Sequence, residues 1–142
     1  MNSYSHKSKQ HLLECHVDLQ VLFAFVLQTA DHTVLEGYRS LQRQREKFLA
    51  AESKVQQGKH NTIPSMAVDV SPYPIPVNWG AGSRDEYEKF RYFAFYVLGV
   101  ADMLKATGQI KNDVRWGGDW DGDHDVTDQT FHDLVHFELA EV

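Results

Sequence analysis

The sequence has one cysteine, few prolines and no long apolar run, and each of these shortages excludes a class of protein. A single cysteine, Cys15, rules out a disulfide within the chain and is compatible with a reducing compartment. No eighteen consecutive apolar residues occur, so we expect no transmembrane helix. Residues 1–10 are polar and lack the apolar core of a secretory signal, so we expect no signal peptide. With four prolines, nine glycines and 42% apolar residues, the chain has the composition of a folded protein.

Positive charge is also scarce. Fourteen lysines and arginines stand against twenty acidic residues, which gives a net charge of −6 with histidine neutral, and the basic residues form no stripe. This balance argues against a general nucleic-acid-binding protein. We therefore expect no nucleic-acid partner. We also expect no membrane insertion, since no long apolar run occurs, and a monomer. Eight histidines in 142 residues is a high number, and it directs attention to a metal site.

The apolar pattern predicts a single α+β domain over residues 1–142, with helices packed on a small antiparallel sheet. Ser8 is the predicted N-cap of the first helix, and Gly108 follows the last turn of the longest one. Residues 130–142 fit a helix or a strand equally well. The other predicted elements are helices over 8–30, 41–57 and 84–107 and strands over 33–37, 66–70 and 114–116.

The first candidate metal ligands are His60, in a polar loop, and Asp69, nine residues later in an otherwise apolar strand. Catalytic zinc sites use three protein ligands and keep a fourth position for water. A carboxylate inside an apolar strand is costly to bury unless a positive group meets it. That group is either a metal ion or an arginine such as Arg39 or Arg115; alternatively, Asp69 caps a turn at Ser71-Pro72. His60 on its own also fits a solvated loop histidine.

The second candidate is the segment from His132 to His136, with Asp133 between them. On a helix it would resemble the zincin motif HExxH, but zincins take a third ligand further along and only six residues follow His136. On a strand, one histidine alone need enter the site, with Asp133 close by as a general base. His60, Asp69 and His136 then supply two imidazoles and one carboxylate, a common catalytic set for Zn²⁺.

Several short motifs in a fixed order resemble a known family, the D-Ala-D-Ala carboxypeptidase/VanY-like zinc peptidases. Within that family the chain is most similar to the L-alanyl-D-glutamate endopeptidases that phages use as endolysins. The resemblance covers nearly the whole chain. It rests on Gly37-Tyr-Arg39-Ser40, Gly58-Lys-His60, Pro64-Ser-Met-Ala67-Val-Asp69, Arg115-Trp116-Gly-Gly-Asp119-Trp120 and Asp133-Leu-Val-His136.

The resemblance implies a role for each matching residue. Zinc would be bound by His60, Asp69 and His136. Asp133, three residues before the last histidine, would be the base, and Arg39 would hold the substrate carbonyl oxygen. The family's usual form is Ser-x-His-x-x-Gly-x-Ala-x-Asp, and here the histidine lies two residues further from the aspartate.

The implied function is a zinc-dependent peptidase that acts on peptidoglycan stem peptides, at the L-alanyl-D-glutamate bond, as a phage endolysin in host lysis. It would reside in the host cytoplasm until lysis and then act in the periplasm or cell wall. One alternative keeps the site and changes the bond, as in a D-alanyl-D-alanine carboxypeptidase or dipeptidase. Another is a wall-binding module whose structural zinc is closed by a fourth ligand, His132.

An acidic loop supplies a further candidate site. Asp119, Asp121, Asp123 and Asp125 alternate as the carboxylates at the start of an EF-hand loop do. The glycine at the sixth position and the glutamate at the twelfth are missing. The sequence therefore leaves open a Ca²⁺ site or a solvated acidic loop beside the active site.

Overall fold

The computed structural model describes residues 1–53, 57–77, 84–127 and 132–140, and these residues form four helices and one four-stranded sheet. The strands all pair antiparallel in the order β1-β2-β4-β3, which confirms the α+β fold. None of the helices in these ranges is long and apolar enough to cross a membrane. The helices are α1 (His6–Leu13), α2 (Val17–Leu27), α3 (Leu41–Leu49) and α4 (Arg84–Ala106), with a 3-10 turn at Lys59–Asn61, and the strands are β1 (His32–Glu36), β2 (Ala67–Pro72), β3 (Asp113–Gly117) and β4 (Asp133–Ala140).

The two faces of the sheet differ, and one of them makes the core. Val68 of β2 and Trp116 of β3 both lie opposite Phe137 of β4, and all three are fully buried. Phe23 of α2 and Phe93 of α4 pack edge-on against the Phe137 ring. Because side chains alternate along a strand, the neighbours of Val68 and Phe137 point to the opposite face. That opposite face carries the candidate site.

The single helix predicted over 8–30 is wrong, because the chain breaks between α1 and α2. Cys15 forms a β-bridge with Ser65, and the amide of His16 donates to the Ser65 carbonyl oxygen over 2.8 Å. The His16 side chain then accepts from the Asp18 amide and caps α2. Pairing with a distant segment thus overrides a continuous apolar pattern.

The predicted N-cap is also misplaced. The Ser5 hydroxyl, three residues earlier, accepts from the Ser8 amide and begins α1. Ser8 itself is buried, and its hydroxyl accepts from the Val34 amide over 3.1 Å. Ser8 therefore fastens α1 to β1 instead of starting the helix.

The remaining elements follow the predictions with shifted ends. The helix predicted over 41–57 ends at Leu49, and residues 54–56 lie outside the described part of the chain. Strand β2 runs on to Pro72 because β1 continues to pair with it there. Gly108 takes a positive φ of 79° just after α4, as a helix-ending glycine does. The segment that fitted either a helix or a strand is a strand from Asp133 to Ala140.

Asp18, at the start of α2, fastens that helix to the segment before β3. Its buried carboxylate accepts from the amides of Lys111 and Asn112 at 3.0 Å and from the Asn112 side chain at 2.9 Å. Burial alone would raise the pKa of Asp18, but hydrogen bonds from Asn112 and Lys111 hold it below its ordinary value.

Replacing Asp18 by asparagine is expected to lower the free energy of unfolding by about 1–3 kcal/mol at pH 7, because three bonds to a charged acceptor weaken. The pKa of Asp18 is lower in the folded protein than in the unfolded chain, where it is about 3.9. The ionised carboxylate therefore stabilises the folded state above about pH 3.9, and this stabilisation is lost as the pH falls through the folded-state pKa. The difference between wild type and variant should therefore shrink below about pH 4. Urea unfolding across this pH range measures it, and a pH-independent difference would contradict the assignment.

Candidate active site

Three predicted ligands lie together on the face of the sheet opposite the core. Asp69 of β2 pairs directly with His136 of β4, and the 3-10 turn brings His60 beside them. Asp69 Oδ1 lies 3.1 Å from His60 Nε2 and 3.5 Å from His136 Nδ1. The exposed fractions are 4% for His60 and 9% for each of the other two. One ligand atom from each residue lies within 4.8 Å of the others, so this group could hold a metal ion.

Each imidazole is held so that one nitrogen faces the shared point. His60 Nδ1 donates to the Gly37 carbonyl oxygen over 2.7 Å, and this turns Nε2 towards Asp69 Oδ1. His136 Nε2 lies 2.9 Å from Glu138 Oε1, which leaves Nδ1 towards Asp69. Metal-binding histidines typically donate their other N–H to a carbonyl or carboxylate in this way.

The donor set also fits zinc in its chemistry and spacing. Two imidazole nitrogens and one carboxylate oxygen form a known catalytic zinc set. Tetrahedral ligands at 2.0–2.1 Å from zinc are about 3.3 Å apart. The separations of 3.1 and 3.5 Å from Asp69 to His60 and His136 lie on either side of that value. The residues therefore suit a tetrahedral ion with one position left for water or substrate.

Asp69 and His136 each shift the pKa of the other. Burial alone would raise the pKa of Asp69, but hydrogen bonds from His136 and His60 hold it well below its ordinary value. Burial would lower the pKa of His136, but Asp69 and Glu138 outweigh it and raise the value to about 9. A metal ion bound through Nδ1 of His136 would have to displace the proton on that nitrogen.

Arg39 lies against this group at the end of a buried network. Its Nε and Nη2 donate to Glu36 at 2.9 and 3.0 Å, and Nη2 also donates to Asp69 Oδ2 at 3.2 Å. Its Nη1 donates to Gln44 Oε1 at 2.7 Å, and only 7% of the residue is exposed. Asp69 thus meets both partners that the sequence offered as alternatives, an arginine and a potential metal position. Arg115, the other candidate, pairs with Glu138.

Asp133 begins β4 at the edge of the same group. Its Oδ2 lies 3.9 Å from His136 Nδ1, and about a third of its side chain is exposed. Burial and the nearby Asp69 charge raise the pKa of Asp133 above its ordinary value, against the lowering effect of His136. A carboxylate with a raised pKa beside a metal position is suited to accept and return a proton.

His132, the fourth ligand of the structural-zinc alternative, is not part of the three-residue group. Its ring faces Tyr87 of α4, with 6.3 Å between ring centroids. Within the described ranges, the group therefore offers three potential protein ligands, the number found in catalytic zinc sites, and not the four of a closed site.

Two cavities meet at this group. One, of about 250 Å³, is lined by both histidines, Trp120 and Lys59 among others. A second, of about 550 Å³, lies beside it, and Arg39 and Asp133 line both. A substrate reaching across the two cavities would pass the ligand group, the base candidate and the arginine together.

Sequence analysis missed Glu138 and Gln44, which hold His136 and Arg39. For Glu138 a signal existed, because residues two apart on a strand share a face. It becomes visible only once residues 133–140 are known to be a strand. For Gln44, no pattern in the sequence of its helix indicates a contact with Arg39.

The acidic loop brings three of its four predicted aspartates together. Oxygens of Asp119, Asp121 and Asp123 lie within 4.8 Å of one another. Asp125 is outside this cluster, and its carboxylate accepts from the Thr127 amide over 2.9 Å. Asp119 is buried, and its Oδ1 finds no hydrogen-bond partner among the described residues. Burial and the neighbouring aspartates raise the pKa of Asp119.

Comparisons with known proteins show which family and which solved structure the chain is similar to. The sequence profile described as phage L-alanyl-D-glutamate peptidase matches residues 2–140. The crystal structure of the L-Ala D-Glu endopeptidase ChiX from Serratia marcescens is similar, with a TM-score of 0.62 and 25% identity over 96% of this chain and 89% of that one. No curated protein sequence gives a significant match. The resemblance predicted from the motifs is confirmed, and the chain belongs to the phage L-alanyl-D-glutamate peptidase family.

Proposed function

We propose that this protein is a zinc-dependent endopeptidase that cleaves the L-alanyl-D-glutamate bond of peptidoglycan stem peptides. It serves a phage as an endolysin, resides as a monomer in the host cytoplasm until lysis, and then acts in the periplasm or cell wall. The observation that carries the proposal is the group of His60, Asp69 and His136, with Asp133 and Arg39 beside it, in a chain of this peptidase family.

The two histidines and Asp69 hold the metal in this proposal. A zinc ion held there would supply a water of lowered pKa, about 7, and positive charge for the substrate carbonyl. Asp133 takes a proton from the attacking water and passes it to the leaving amine. Arg39, fixed by Glu36 and Gln44, presents positive charge where the carbonyl oxygen becomes negative.

The bond that is cut decides between this proposal and a D-alanyl-D-alanine carboxypeptidase or dipeptidase, which would use the same residues. The name of the similar Serratia endopeptidase supports the first. Purified peptidoglycan is digested, new amino groups are labelled, and the products are separated by mass. New amino-terminal glutamate supports the proposal, whereas released D-alanine with no new glutamate terminus contradicts it.

We also propose that Asp119, Asp121 and Asp123 bind Ca²⁺. A cation would satisfy the buried Asp119 oxygen and offset the repulsion among the three carboxylates. The loop lies against the active site, since Trp120 packs on the His136 ring with 5.5 Å between centroids.

Calcium titration is expected to change the tryptophan fluorescence of the wild type, because Trp120 lies between two of the proposed ligands in the chain. The Asp121→Asn variant should need at least tenfold more calcium for the same change, since it loses one charged ligand. Asp125→Asn is the matched control and should behave as the wild type. No calcium response in the wild type would leave only a solvated acidic loop.

A further inference from the structure

Glu138 makes charged contacts with three side chains on the site face of the sheet. Its Oε1 accepts from His136 Nε2 at 2.9 Å. Its Oε2 lies 3.1 Å from Arg115 Nη2 and 3.2 Å from Lys59 Nζ. Only 12% of the Glu138 side chain is exposed. Both oxygens of the Glu138 carboxylate therefore have partners, and these contacts hold the carboxylate in one orientation.

These contacts reach both elements that carry the histidines. Glu138 and His136 are two residues apart on β4 and share a face of the sheet. Lys59 immediately precedes His60 in the 3-10 turn, and its ammonium also donates to the Leu139 carbonyl oxygen. Through Lys59, Glu138 thus fastens the His60 turn to β4. If the ion pair between Lys59 and Glu138 is removed, two hydrogen bonds still hold the turn. His60 Nδ1 donates to the Gly37 carbonyl oxygen, and the Arg39 amide donates to the His60 carbonyl oxygen.

The strand pairing leaves space for this arrangement. Glu138 lies opposite Arg115 on one side and opposite Ala67 on the other. Cross-strand partners of opposite charge stabilise a sheet, and the small Ala67 side chain leaves the other flank open to Lys59. The two cations contact Oε2, which leaves Oε1 to accept from His136.

We infer that Glu138 is the positioning residue of the proposed metal site and sets the orientation of His136 directly and of His60 through Lys59. The inference rests on the proposed function, since it concerns the same metal. If Glu138 orients both histidines, its replacement should weaken metal binding even though Glu138 is not itself a proposed ligand. Loss of such an outer partner typically costs 10–100-fold in metal affinity.

The test measures zinc affinity directly, by competition with a chromophoric chelator, in the full chain. Glu138→Gln keeps the shape and an acceptor for His136 but removes the charge that holds Lys59 and Arg115. We expect its zinc Kd to rise 10–100-fold and the visible spectrum of the cobalt-substituted protein to shift. Lys59→Met removes the ion pair with Glu138 and the bond to the Leu139 carbonyl oxygen but leaves the contact between Glu138 and His136, so it should weaken zinc binding by a smaller factor.

Glu88→Gln is the matched control, because Glu88 is also paired with an arginine, at 3.2 Å, but lies on α4 away from the metal group. Its zinc Kd should equal that of the wild type. A zinc Kd within twofold of wild type in both Glu138→Gln and Lys59→Met, with unchanged cobalt spectra, would overturn the inference. If Glu138→Gln fails to fold, Lys59→Met alone decides by the same criterion. Wild type that binds no zinc would instead refute the proposed function.

Discussion

Replacing Asp133 by asparagine is expected to lower the rate of peptide hydrolysis by about 10²–10⁴-fold while zinc stays bound. The side chain keeps its size, and the three proposed ligands are untouched. The substitution removes the Asp133 carboxylate, whose Oδ2 lies 3.9 Å from His136 Nδ1. Burial and the nearby Asp69 charge raise the pKa of this carboxylate. An amide cannot take the proton that the attacking water must release.

Hydrolysis of a defined stem peptide and zinc content are measured on the same preparations. Asp85→Asn, an exposed carboxylate in the first turn of α4, is the control and should retain full activity. Full activity in Asp133→Asn would remove Asp133 from the base role. Loss of zinc together with activity would show that it acts in binding instead.

Replacing Arg39 by glutamine is expected to have the largest effect on stability. The buried guanidinium pairs with both Glu36 and Asp69, and its removal leaves Glu36 with only the exposed Arg43 and Asp69 with only the two histidines. Breaking a buried pair in this way costs about 3–5 kcal/mol. If Arg39 also stabilises the developing oxyanion, hydrolysis falls by about 10²-fold or more.

Arg43→Gln is a closely matched control for that experiment. Arg43 contacts the same Glu36 oxygen as Arg39, at 3.1 Å, but its side chain is 56% exposed, against 7% for Arg39. An exposed pair contributes about 0–1 kcal/mol. Urea unfolding at one pH compares the two variants. A loss below 1 kcal/mol in Arg39→Gln, no greater than that in Arg43→Gln, would contradict the buried network.

The candidate site was predictable because its residues stand out locally. Asp69 is an acid inside an apolar strand, and a strand over the last segment needs to send only one of its two histidines to the site. The structure pairs Asp69 with His136 directly and adds His60 from the 3-10 turn. The roles of these residues as ligands and base stay predictions that the variants above test.

What escaped prediction depends on pairings between distant segments. Nothing local marks the break between α1 and α2, because the amide of His16 finds its partner at Ser65, far along the chain. Glu138 likewise gains meaning only when β4 pairs with β3 and places it opposite Arg115. Residues 130–142 satisfy both helical and strand patterns, and pairing with β2 and β3 decides between them.

The most direct test of the central claim is elemental zinc analysis together with hydrolysis of purified peptidoglycan, for wild type and His136→Ala. His136 is nearly buried and faces Asp69, so its loss removes one of three proposed ligands. The account predicts one zinc per chain and new amino-terminal glutamate in the wild type, with both lost in the variant. Wild type without zinc, or a variant that keeps both zinc and hydrolysis, would contradict it.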